Sequence, residues 1–371
     1  MTGPDIESIR ARAFTVPTDA PESDGTFSWT ETTLVLVEAR ARSETGIGYS
    51  YTHAAAGTVA ATLLARAVIG RPAFDPPGAT AQMRRAVRNI GRSGLAATAA
   101  SAVDAALWDL KARLLGLPLV SLLGQVRPAV PIYGSGGFTS YDDAQMTAQL
   151  SGWVERDGCR AVKIKIGRDP GQDPGRVAVA RRAAGRAALY VDANGALTRR
   201  QAVATAHRLA GEADIRWFEE PVSSDDLPGL REVRDAAPPG VEVAAGEYAY
   251  TLDDFRHMLA AGAVDVQQAD ATRCGGITGF MEAGVLADAH HVDLSAHCGP
   301  ALHLHPACAV QRFRNIEWFH DHVRIERMFF DGAPVPHDGQ IRPDLSRPGL
   351  GLDFRHADAE PYAAGPWEEG G

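Results

Sequence analysis

The stretch that decides the fold is AVKIKIGRDPGQDPGRVAVARRAAGRAALYVDANG, residues 161–195. It begins with an apolar, β-branched run, AVKIKIG (161–167), continues through a segment rich in Ala and Arg, and ends with the run LYVDANG (189–195). A strand, a helix and a second strand in this order are typical of a βαβ unit, in which both strands lie parallel in one sheet. The stretch therefore predicts an α/β fold.

This unit repeats along the middle of the chain. Eight short apolar runs each end in polar or glycine residues, and their first residues are 20 to 30 positions apart. The runs are PIYGSGG (131–137), AVKIKIG (161–167), LYVDANG (189–195), IRWFEEP (215–221), VEVAAGE (241–247), VDVQQAD (264–270), VDLSAHC (292–298) and NIEWFHD (315–321). Segments with helical spacing, such as TRRQAVATAHRLAGEA (198–213), lie between them. Eight such units predict a closed, TIM-like (β/α)8 barrel, and a doubly wound open sheet is the alternative.

The flanking segments have a different pattern. Two alternating runs, residues 6–16 and 32–43, predict antiparallel strands. Three Ala-rich segments, residues 54–69, 80–90 and 94–116, predict helices. The tail is rich in Pro and Gly and lacks the βα period, so we expect it to return to the N-terminal domain. The predicted organisation is an α+β domain (1–128), a barrel domain (129–322) and a C-terminal segment (323–371).

Composition excludes several classes of protein. The 371 residues are 45% hydrophobic and 22% charged, which is ordinary for a globular protein and argues against disorder. The formal net charge is −9 and no basic patch stands out, so nucleic acid is not an expected partner. The first residues lack the apolar core of a signal peptide, no apolar run reaches 18 residues, and the four cysteines form no CxxC pair. We expect a cytoplasmic protein that has no membrane partner and assembles as a homo-oligomer.

Polar residues recur at the C-terminal end of each predicted strand, where (β/α)8 barrels carry their chemistry. They are Lys163, Lys165, Asp192, Asn194, Glu219, Glu220, Glu247, Asp270, His297 and Glu317. Lys165 and Asp192 are 27 residues apart, as are Asp270 and His297. Helix caps and surface acids are the alternative explanation, but their constant placement at one strand end favours an active site.

Three acids from neighbouring strands predict a metal site. Carboxylates of Asp192, Glu247 and either Glu219 or Glu220 would repel one another in a shared pocket and raise one another's pKa. A hard divalent cation such as Mg²⁺ resolves this repulsion and accepts carboxylate oxygens. Zinc would favour His or Cys ligands, which these positions lack.

Two lysines and a histidine predict groups that transfer protons. Lys163 and Lys165 are two apart on one strand, so both face the same side; inward placement would let each ammonium lower the pKa of the other and prepare a neutral base. A solvated edge strand is the alternative for this pair.

His297 and Asp270 end adjacent predicted strands, where a carboxylate would fix the tautomer of the imidazole and raise its basicity. A purely structural histidine is the alternative. Glu317 on the eighth strand would either donate a hydrogen bond when protonated or anchor a loop.

Several motifs together resemble a known family. They are KIK (163–165), VDANG (191–195), WFEEP (217–221), AAGE (244–247), QAD…GGIT (268–278) and SAHC (295–298). These motifs are similar to those of the enolase superfamily, mandelate racemase subgroup. SAVDAALWDLKARLLGLPLVSLLG (101–124) resembles that family's connection between lid and barrel, and PGLG (348–351) its return to the lid.

The resemblance implies a role for each residue. Asp192, Glu219 and Glu247 would bind Mg²⁺, which selects Glu219 over Glu220. Lys165 would be a base on one face of the substrate, Lys163 would neutralise its carboxylate, and His297 with Asp270 would act on the opposite face. Glu317 would hydrogen-bond the substrate carboxylate and Asn194 would line the pocket. Members of this superfamily use a Lys or His base with Mg²⁺ that stabilises an ene-diolate.

The N-terminal domain would then cap the barrel. We expect loops at residues 17–31 and 49–56 to act as the lid, with polar side chains that suit a polyhydroxy acid; solvated loop chemistry is the alternative. The candidates are Asp19, Glu22, Asp24, Ser28, Tyr51 and His53. Two histidine clusters, HLH (303–305) and FHDH (319–322), lack a four-ligand zinc pattern, so we expect structural roles for them.

Three functions follow from this pattern. The first is an Mg²⁺-dependent dehydratase that removes the proton α to the carboxylate of a sugar acid and expels the β-hydroxyl. The second is a racemase or epimerase that uses Lys165 and His297 as paired bases. The third is a non-catalytic protein on a retained barrel, which the full set of acids argues against.

Overall fold

The fold is that of a computed structural model, which describes residues 3–364. Eight parallel strands form one continuous sheet, and the last pairs with the first, so the barrel is closed and the open-sheet alternative is wrong. The strands are β4 (Val130–Gly136), β5 (Ala161–Lys165), β6 (Ala188–Asp192), β7 (Ile215–Glu219), β8 (Glu242–Ala245), β9 (Val266–Ala269), β10 (Asp293–Ala296) and β11 (Phe313–Phe319). They follow β1 (Ser8–Ser23), β2 (Ser28–Ala41) and β3 (Glu44–Tyr51) of the N-terminal domain.

A helix follows every barrel strand. These helices are α6 (Asp143–Glu155), α7 (Asp173–Ala184), α8 (Arg199–Ala213), α9 (Leu227–Ala236), α10 (Leu252–Ala261), α11 (Gly276–Ala289), α12 (Pro300–Ala307) and α13 (His320–Phe329). Four of the first five, α6, α8, α9 and α10, are preceded by an Asp or Thr at the N-cap position, where these residue types favour the start of a helix.

Successive side chains of each barrel strand alternate between the outer and the inner face of the barrel wall. On β5, Val162 and Ile164 point outward into the main core that the helices cover. The alternate residues point inward, where aromatic rings fill the lower interior of the barrel. Tyr190 and Trp217 stack there with ring centroids 5.0 Å apart. The barrel is therefore packed below and holds its polar groups at the mouth, as the sequence predicts.

The capping domain packs a three-stranded antiparallel sheet, β1–β2–β3, on helices. Its helices are α1 (Ala55–Thr58), a π-helical turn (Val59–Leu64), α2 (Ala65–Val68), α3 (Pro76–Ala86), α4 (Leu95–Leu114) and α5 (Leu119–Leu123). The long helix α4 lies against β3, and a Cβ at Gly46 would lie 2.3 Å from the Ala106 carbonyl oxygen. Only glycine permits this close approach.

The predicted lid loop at residues 17–31 is largely strand. β1 runs to Ser23 and β2 starts at Ser28, so the two strands form a hairpin whose turn covers residues 24–27. The pairing register shifts between Pro17 and Glu22, which marks a β-bulge. Polar residues of a twisted, partly exposed hairpin arm lack the regular alternation by which strands are recognised in sequence.

The C-terminal segment returns to the capping domain, but part of it lies elsewhere. Leu119 N–H donates to the Gly349 carbonyl oxygen at 2.7 Å, and Ala364 N–H donates to that of Ala13 at 2.9 Å. The pair Gln340–Ile341, however, forms an antiparallel strand with the first residues of β4 at the barrel bottom. Part of the segment therefore also contacts the barrel, because Val130 and Pro131 precede the residues of β4 that pair with β5 and β11. The predicted boundary at 322/323 falls inside α13.

Within residues 3–364, no helix has the length and apolar character needed to cross a membrane. All four cysteines are buried with free thiols.

One buried carboxylate joins the two ends of the chain to α4. Asp109 accepts hydrogen bonds from the backbone N–H groups of Ile47 and Leu350, at 2.8 and 2.6 Å, and from Arg113. Asp109→Ala leaves these donors unpaired, so we expect it to destabilise the fold by roughly 3 kcal/mol. Thermal or urea unfolding measures this loss.

The matched control is Asp353→Ala, which removes an exposed partner of the same Arg113. We expect it to stay within about 0.5 kcal/mol of wild type. Equal unfolding midpoints for Asp109→Ala and Asp353→Ala would contradict the proposed role of Asp109.

Candidate active site

The mouth of the barrel gathers the side chains that the sequence places at strand ends. Lys163, Asp192, Glu219, Asp270 and Glu317 are almost completely buried there. They come from β5, β6, β7, β11 and the residue after β9, so the site exists only because the sheet is closed.

Three carboxylates form the centre of this site. Oxygens of Asp192, Glu219 and Glu247 all lie within 4.8 Å of one another. Glu247 reaches this position because Gly246 turns the chain with a φ of +133°, where a Cβ would collide with the Gln268 carbonyl oxygen at 2.2 Å. Trp217 Nε1 donates to the second oxygen of Glu219 at 3.0 Å and fixes that carboxylate from below.

The carboxylates fit a hard divalent cation. Burial is the main cause that raises the pKa of Glu219, and burial followed by the charge of Glu247 raises that of Glu220, even though Lys163 lies beside Glu219. Glu247 Oε2 lies 2.9 Å from His297 Nε2 but makes no well-formed hydrogen bond, and Glu220 Oε2 has no partner. Oxygen ligands with this charge suit Mg²⁺ better than a softer metal.

Glu220 is placed differently from Glu219. Its backbone takes a φ of +38°, and its Oε1 accepts a hydrogen bond from Gly246 N–H at 3.3 Å. Asn194 and Cys298 also lie in the left-handed region, at φ +45° and +53°. Such conformations are costly and cluster at functional sites. Glu220 thus supports the turn that carries Glu247.

Both lysines point inward, so the solvated-edge alternative is wrong. Lys163 contacts Glu219 and lies 2.8 Å from Glu317, and Lys165 donates to Asp192 at 2.5 Å. The pKa of both lysines is raised above its ordinary value. Burial acts to lower it, but Glu219 and Glu317 raise the pKa of Lys163 by more, and Asp192 does the same for Lys165. Lys163 does act to lower the pKa of Lys165, as the sequence predicts, but the opposing effect of Asp192 is larger, so a lowered pKa is not what this arrangement favours.

His297 and Asp270 form a dyad, which excludes an isolated structural histidine. His297 Nδ1 and Asp270 Oδ2 are 2.8 Å apart, and Thr272 N–H holds the other oxygen of Asp270 at 2.7 Å. Burial acts to lower the pKa of His297, but Cys298 and Glu247 raise it well above its ordinary value. The ring is therefore protonated in this arrangement.

Glu317 is ionised. Burial acts to raise its pKa, but Lys163 and His297 lower it well below the ordinary range. Its Oε1 accepts from the Ser135 hydroxyl at 2.5 Å and its Oε2 from Cys298 N–H at 3.2 Å. These contacts favour the ionised form of Glu317, and its role toward a substrate stays a prediction.

A cavity of about 470 Å³ opens above these groups, between barrel and cap. The barrel contributes Lys165, Asn194, Glu247, Tyr248, Arg273, His297, Cys298, Phe319 and His322, and the cap contributes Asp24, Phe27, Trp29, Glu31, Thr32, Thr33, Tyr51, Thr52 and His53. The Asn194 side-chain oxygen has no hydrogen-bond partner. It is free to bind a substrate.

The predicted lid residues divide into two groups. Tyr51, His53 and Asp24 line the cavity, whereas Asp19, Glu22 and Ser28 lie outside it. The Tyr51 ring stacks on His322 with centroids 3.4 Å apart, and Asp24 caps the hairpin turn through Thr26 and Phe27 N–H. Phe27 and Trp29, which were not among the predicted lid residues, add two aromatic rings to the cavity lining.

Three further residues, Tyr248, Arg273 and Cys298, line the cavity but were not predicted from the sequence. Tyr248 and Cys298 directly follow Glu247 and His297, and Arg273 is three positions after Asp270. Arg273 lies 3.4 Å from Asp270 and donates to the Glu247 carbonyl oxygen at 2.9 Å. Their positions, one to three residues after predicted site residues, are the sequence feature that could have identified them.

The histidine clusters have structural roles in three of four cases. His303 accepts from Ala271 N–H at 2.7 Å, His305 from Val120 N–H at 3.1 Å, and His322 from Gly299 N–H at 3.2 Å. His320 instead lies beside Asp19.

Fold and site together define a metal-assisted enzyme of the barrel-and-cap type. Residues 8–124 match the family "Mandelate racemase / muconate lactonizing enzyme, N-terminal domain", and residues 145–359 match "Enolase C-terminal domain-like". The chain belongs to the mandelate racemase/muconate lactonizing enzyme family of the enolase superfamily, and the resemblance drawn from its motifs is confirmed.

The solved structure of a mandelate racemase/muconate lactonizing enzyme-like protein from Rubrobacter xylanophilus has a TM-score of 0.95 and 50% identity, over 97% of this chain and all of that one. The 3,6-anhydro-alpha-L-galactonate cycloisomerase of Streptomyces coelicolor is 38% identical over 59% of this chain and 60% of its own length. The L-talarate/galactarate dehydratase of Salmonella typhimurium is 34% identical over 60% of this chain and 55% of its own. The match thus spans little more than half of these curated relatives.

The Salmonella dehydratase has also been solved with Mg and L-lyxarohydroxamate. That structure has a TM-score of 0.89 and 28% identity, and the match covers 98% of this chain and 94% of that one. Magnesium, predicted from the three carboxylates, is therefore a ligand found within this family.

Magnesium should stabilise the folded protein, because a ligand that binds only the native state raises the unfolding temperature. Asp192→Asn and Glu247→Gln each remove one negative ligand, so we expect a much smaller rise. Thermal unfolding in EDTA and in increasing MgCl₂ measures the difference.

The exposed acid Asp225 lies outside the cavity and provides the control variant Asp225→Asn, which should respond as wild type does. A full magnesium response in both ligand variants would contradict this assignment.

Proposed function

We propose that this protein is an Mg²⁺-dependent acid-sugar dehydratase. The reaction removes the proton from the carbon α to the carboxylate and the hydroxyl from the β carbon, which leave together as water. The resulting enol tautomerises to a 2-keto-3-deoxy acid. No oxidant or reductant is needed, because the α carbon is oxidised as the β carbon is reduced.

One observation carries the proposal: proton-transfer groups approach the three-carboxylate centre from two different strands. Lys165 ends β5 and His297 follows β10, and two strands separate them on one side of the barrel and four on the other. Both line the cavity with Glu247. A substrate whose carboxylate lies at the centre would present its α carbon between them.

The charges of the chain prepare it for this chemistry. Lys163 would neutralise the substrate carboxylate from below, and Asn194 would accept a hydrogen bond from a substrate hydroxyl. Mg²⁺ held by Asp192, Glu219 and Glu247 supplies the positive charge that makes an α proton acidic enough to remove. Oriented charge of this kind is worth several kcal/mol in a water-excluding site, or ~10²–10³ in rate.

The protonation states of Lys165 and His297 determine which of them can act as the acid and which as the base. The neighbouring carboxylates Asp192 and Glu247 raise the pKa of Lys165 and of His297, respectively, which favours the protonated form that a group needs to protonate the departing hydroxyl. The group that accepts the α proton must first lose its own. Asp270 would keep His297 oriented, since it holds Nδ1 and leaves Nε2 toward the cavity.

The lining of the cavity supports a sugar acid as substrate. Glu31, Thr32, Thr33, Thr52 and His53 offer hydrogen-bonding groups above the reacting centre. The aromatic rings of the hairpin would pack on the C–H faces of a carbon chain. Two relatives, the talarate/galactarate dehydratase and the anhydrogalactonate cycloisomerase, are named for reactions of sugar acids.

Racemisation or epimerisation is the second candidate. The same pair, Lys165 and His297, could remove a proton from one face and return it to the other without loss of water. The presence of proton-transfer groups on two sides of the cavity favours this reaction as much as dehydration.

Substitution of the two groups separates these reactions. In a dehydratase, Lys165→Ala and His297→Asn should each lower keto-acid formation by at least ~10²-fold, because each removes an acid or base. One variant should still exchange the α proton with D₂O. Proton NMR in D₂O, with a panel of sugar acids, follows α-proton loss beside keto-acid appearance.

Lys111, the only lysine in the sequence besides Lys163 and Lys165, and the exposed His337 provide matched controls. Lys111→Ala and His337→Ala should keep wild-type turnover. Exchange with inversion and no keto acid would establish the racemase instead, and unchanged turnover in His297→Asn would remove His297 from the mechanism.

A further inference from the structure

A second group of metal-binding side chains lies outside the catalytic centre. Asp19 and Glu22 belong to the β1 arm of the hairpin, and His320 follows β11 at the start of α13. One ligand atom from each lies within 4.8 Å of the others. None of the three lines the active-site cavity.

The β-bulge brings the two acids to the same side. Residues three apart on a regular strand point to opposite faces. The register of β1 shifts between Pro17 and Glu22, which reverses this parity over Asp19 and Glu22. Both carboxylates therefore face His320, and Asp19 Oδ2 lies 2.9 Å from His320 Nε2. Bulges commonly redirect a side chain in this way.

Glu22 provides an independent sign of a missing ligand. Its side chain is only 1% exposed, and Trp29 Nε1 donates to its Oε2 at 2.7 Å. Its Oε1 is buried without a hydrogen-bond partner. A buried carboxylate oxygen without a partner is costly, and a cation would satisfy it.

The surrounding charges are unbalanced as well. Asp321 is fully buried, and Arg324 donates to its Oδ1 at 2.6 Å while its Oδ2 has no partner. The cluster therefore combines three carboxyl groups with one guanidinium. A dication would compensate the remaining negative charge.

We propose that Asp19, Glu22 and His320 form a second metal site, which binds a transition-metal dication such as Zn²⁺. An imidazole with two carboxylates is a zinc donor set, and imidazole disfavours Mg²⁺. Three protein ligands leave a position for water on the solvent side, where the side chains of Asp19 and His320 are 47% and 25% exposed. An open surface cavity of about 390 Å³, lined by both residues, provides the entry path.

The metal would fix the hairpin to the barrel. Glu22 holds the Trp29 indole, which lines the active-site cavity, and Phe319, the residue before His320, lines the same cavity. The site thus joins the cap to the last barrel strand directly beside the substrate. This structural role goes beyond the proposed reaction and does not depend on which reaction the enzyme performs.

The competing arrangement has no metal. Burial and the charge of Asp321 raise the pKa of Glu22 to about 9, so a protonated Glu22 would leave Asp19 and His320 as an ordinary ion pair. The two arrangements differ in one measurable property, the affinity for zinc.

The test is zinc binding by the full chain in excess MgCl₂, which keeps the catalytic carboxylates occupied. Calorimetric titration, with metal content measured after gel filtration, should show one more zinc for wild type than for Asp19→Asn or His320→Ala. Affinity at this site should fall at least about tenfold in each variant, the loss expected even for groups that only support a ligand. His337→Ala, which removes an exposed imidazole beside a single carboxylate, should bind as wild type does.

Equal zinc stoichiometry and affinity in wild type and both variants would overturn the proposal. That result would mean that any bound zinc lies at another group, of which the described residues offer His297 with Cys298 and Glu317, and Asp192 with Glu219 and Glu247. Because Asp19 is half exposed, Asp19→Asn should fold even if His320→Ala does not. Anomalous scattering at the zinc edge should give a peak between Asp19, Glu22 and His320, and a zinc-loaded crystal without that peak refutes the site.

Discussion

The whole arrangement depends on holding like charges together in a buried space. Asp192, Glu219 and Glu247 meet within 4.8 Å at the mouth of the barrel, where their repulsion would be severe without compensation. Lys163 and Lys165 supply that compensation from the neighbouring strand, and both are buried with them. Closure of the sheet is what makes this possible, because each group arrives on its own strand. The packed aromatic layer below prevents the charged groups from being hydrated from the other end.

The parts of the fold that could be predicted from sequence follow from periodicity. Lys163 and Lys165 face inward because residues two apart on a strand share a side, and the apolar β-branched neighbours identify the other side as core. The spacing of Asp192, Glu219 and Glu247 predicts one metal centre for the same reason. The spacing does not determine the register between strands, and the register decides which charged side chains contact each other. Lys165 pairs opposite Asp192 across β5 and β6, and that contact raises a pKa that sequence reasoning expected to fall.

Contacts between distant segments were beyond sequence reasoning. Asp19 and His320 are 301 residues apart in the chain, yet Asp19 Oδ2 lies 2.9 Å from His320 Nε2 at the start of α13. A bulge, which has no clear sequence signal, decides where Asp19 and Glu22 point. The aromatic lining was missed for a similar reason, since Phe27 and Trp29 lie in a polar segment that was taken to be a loop. The cavity is therefore built from two parts of the chain: the barrel strand ends supply its charged groups, and the cap supplies the aromatic and hydroxyl groups above them.

The return of the C-terminal segment has a consequence for how the protein is made. Asp109 in the capping domain accepts a hydrogen bond from Leu350, and β1 is met by Ala363 and Ala364. During synthesis the capping domain leaves the ribosome first, and domains generally fold in that order. Here some 240 residues are synthesised after Asp109 before Leu350, its last hydrogen-bond partner, is available. The cavity needs cap and barrel together, so its assembly follows synthesis of the returning segment, and chains that stop before this segment carry the strand-end groups without a completed cap.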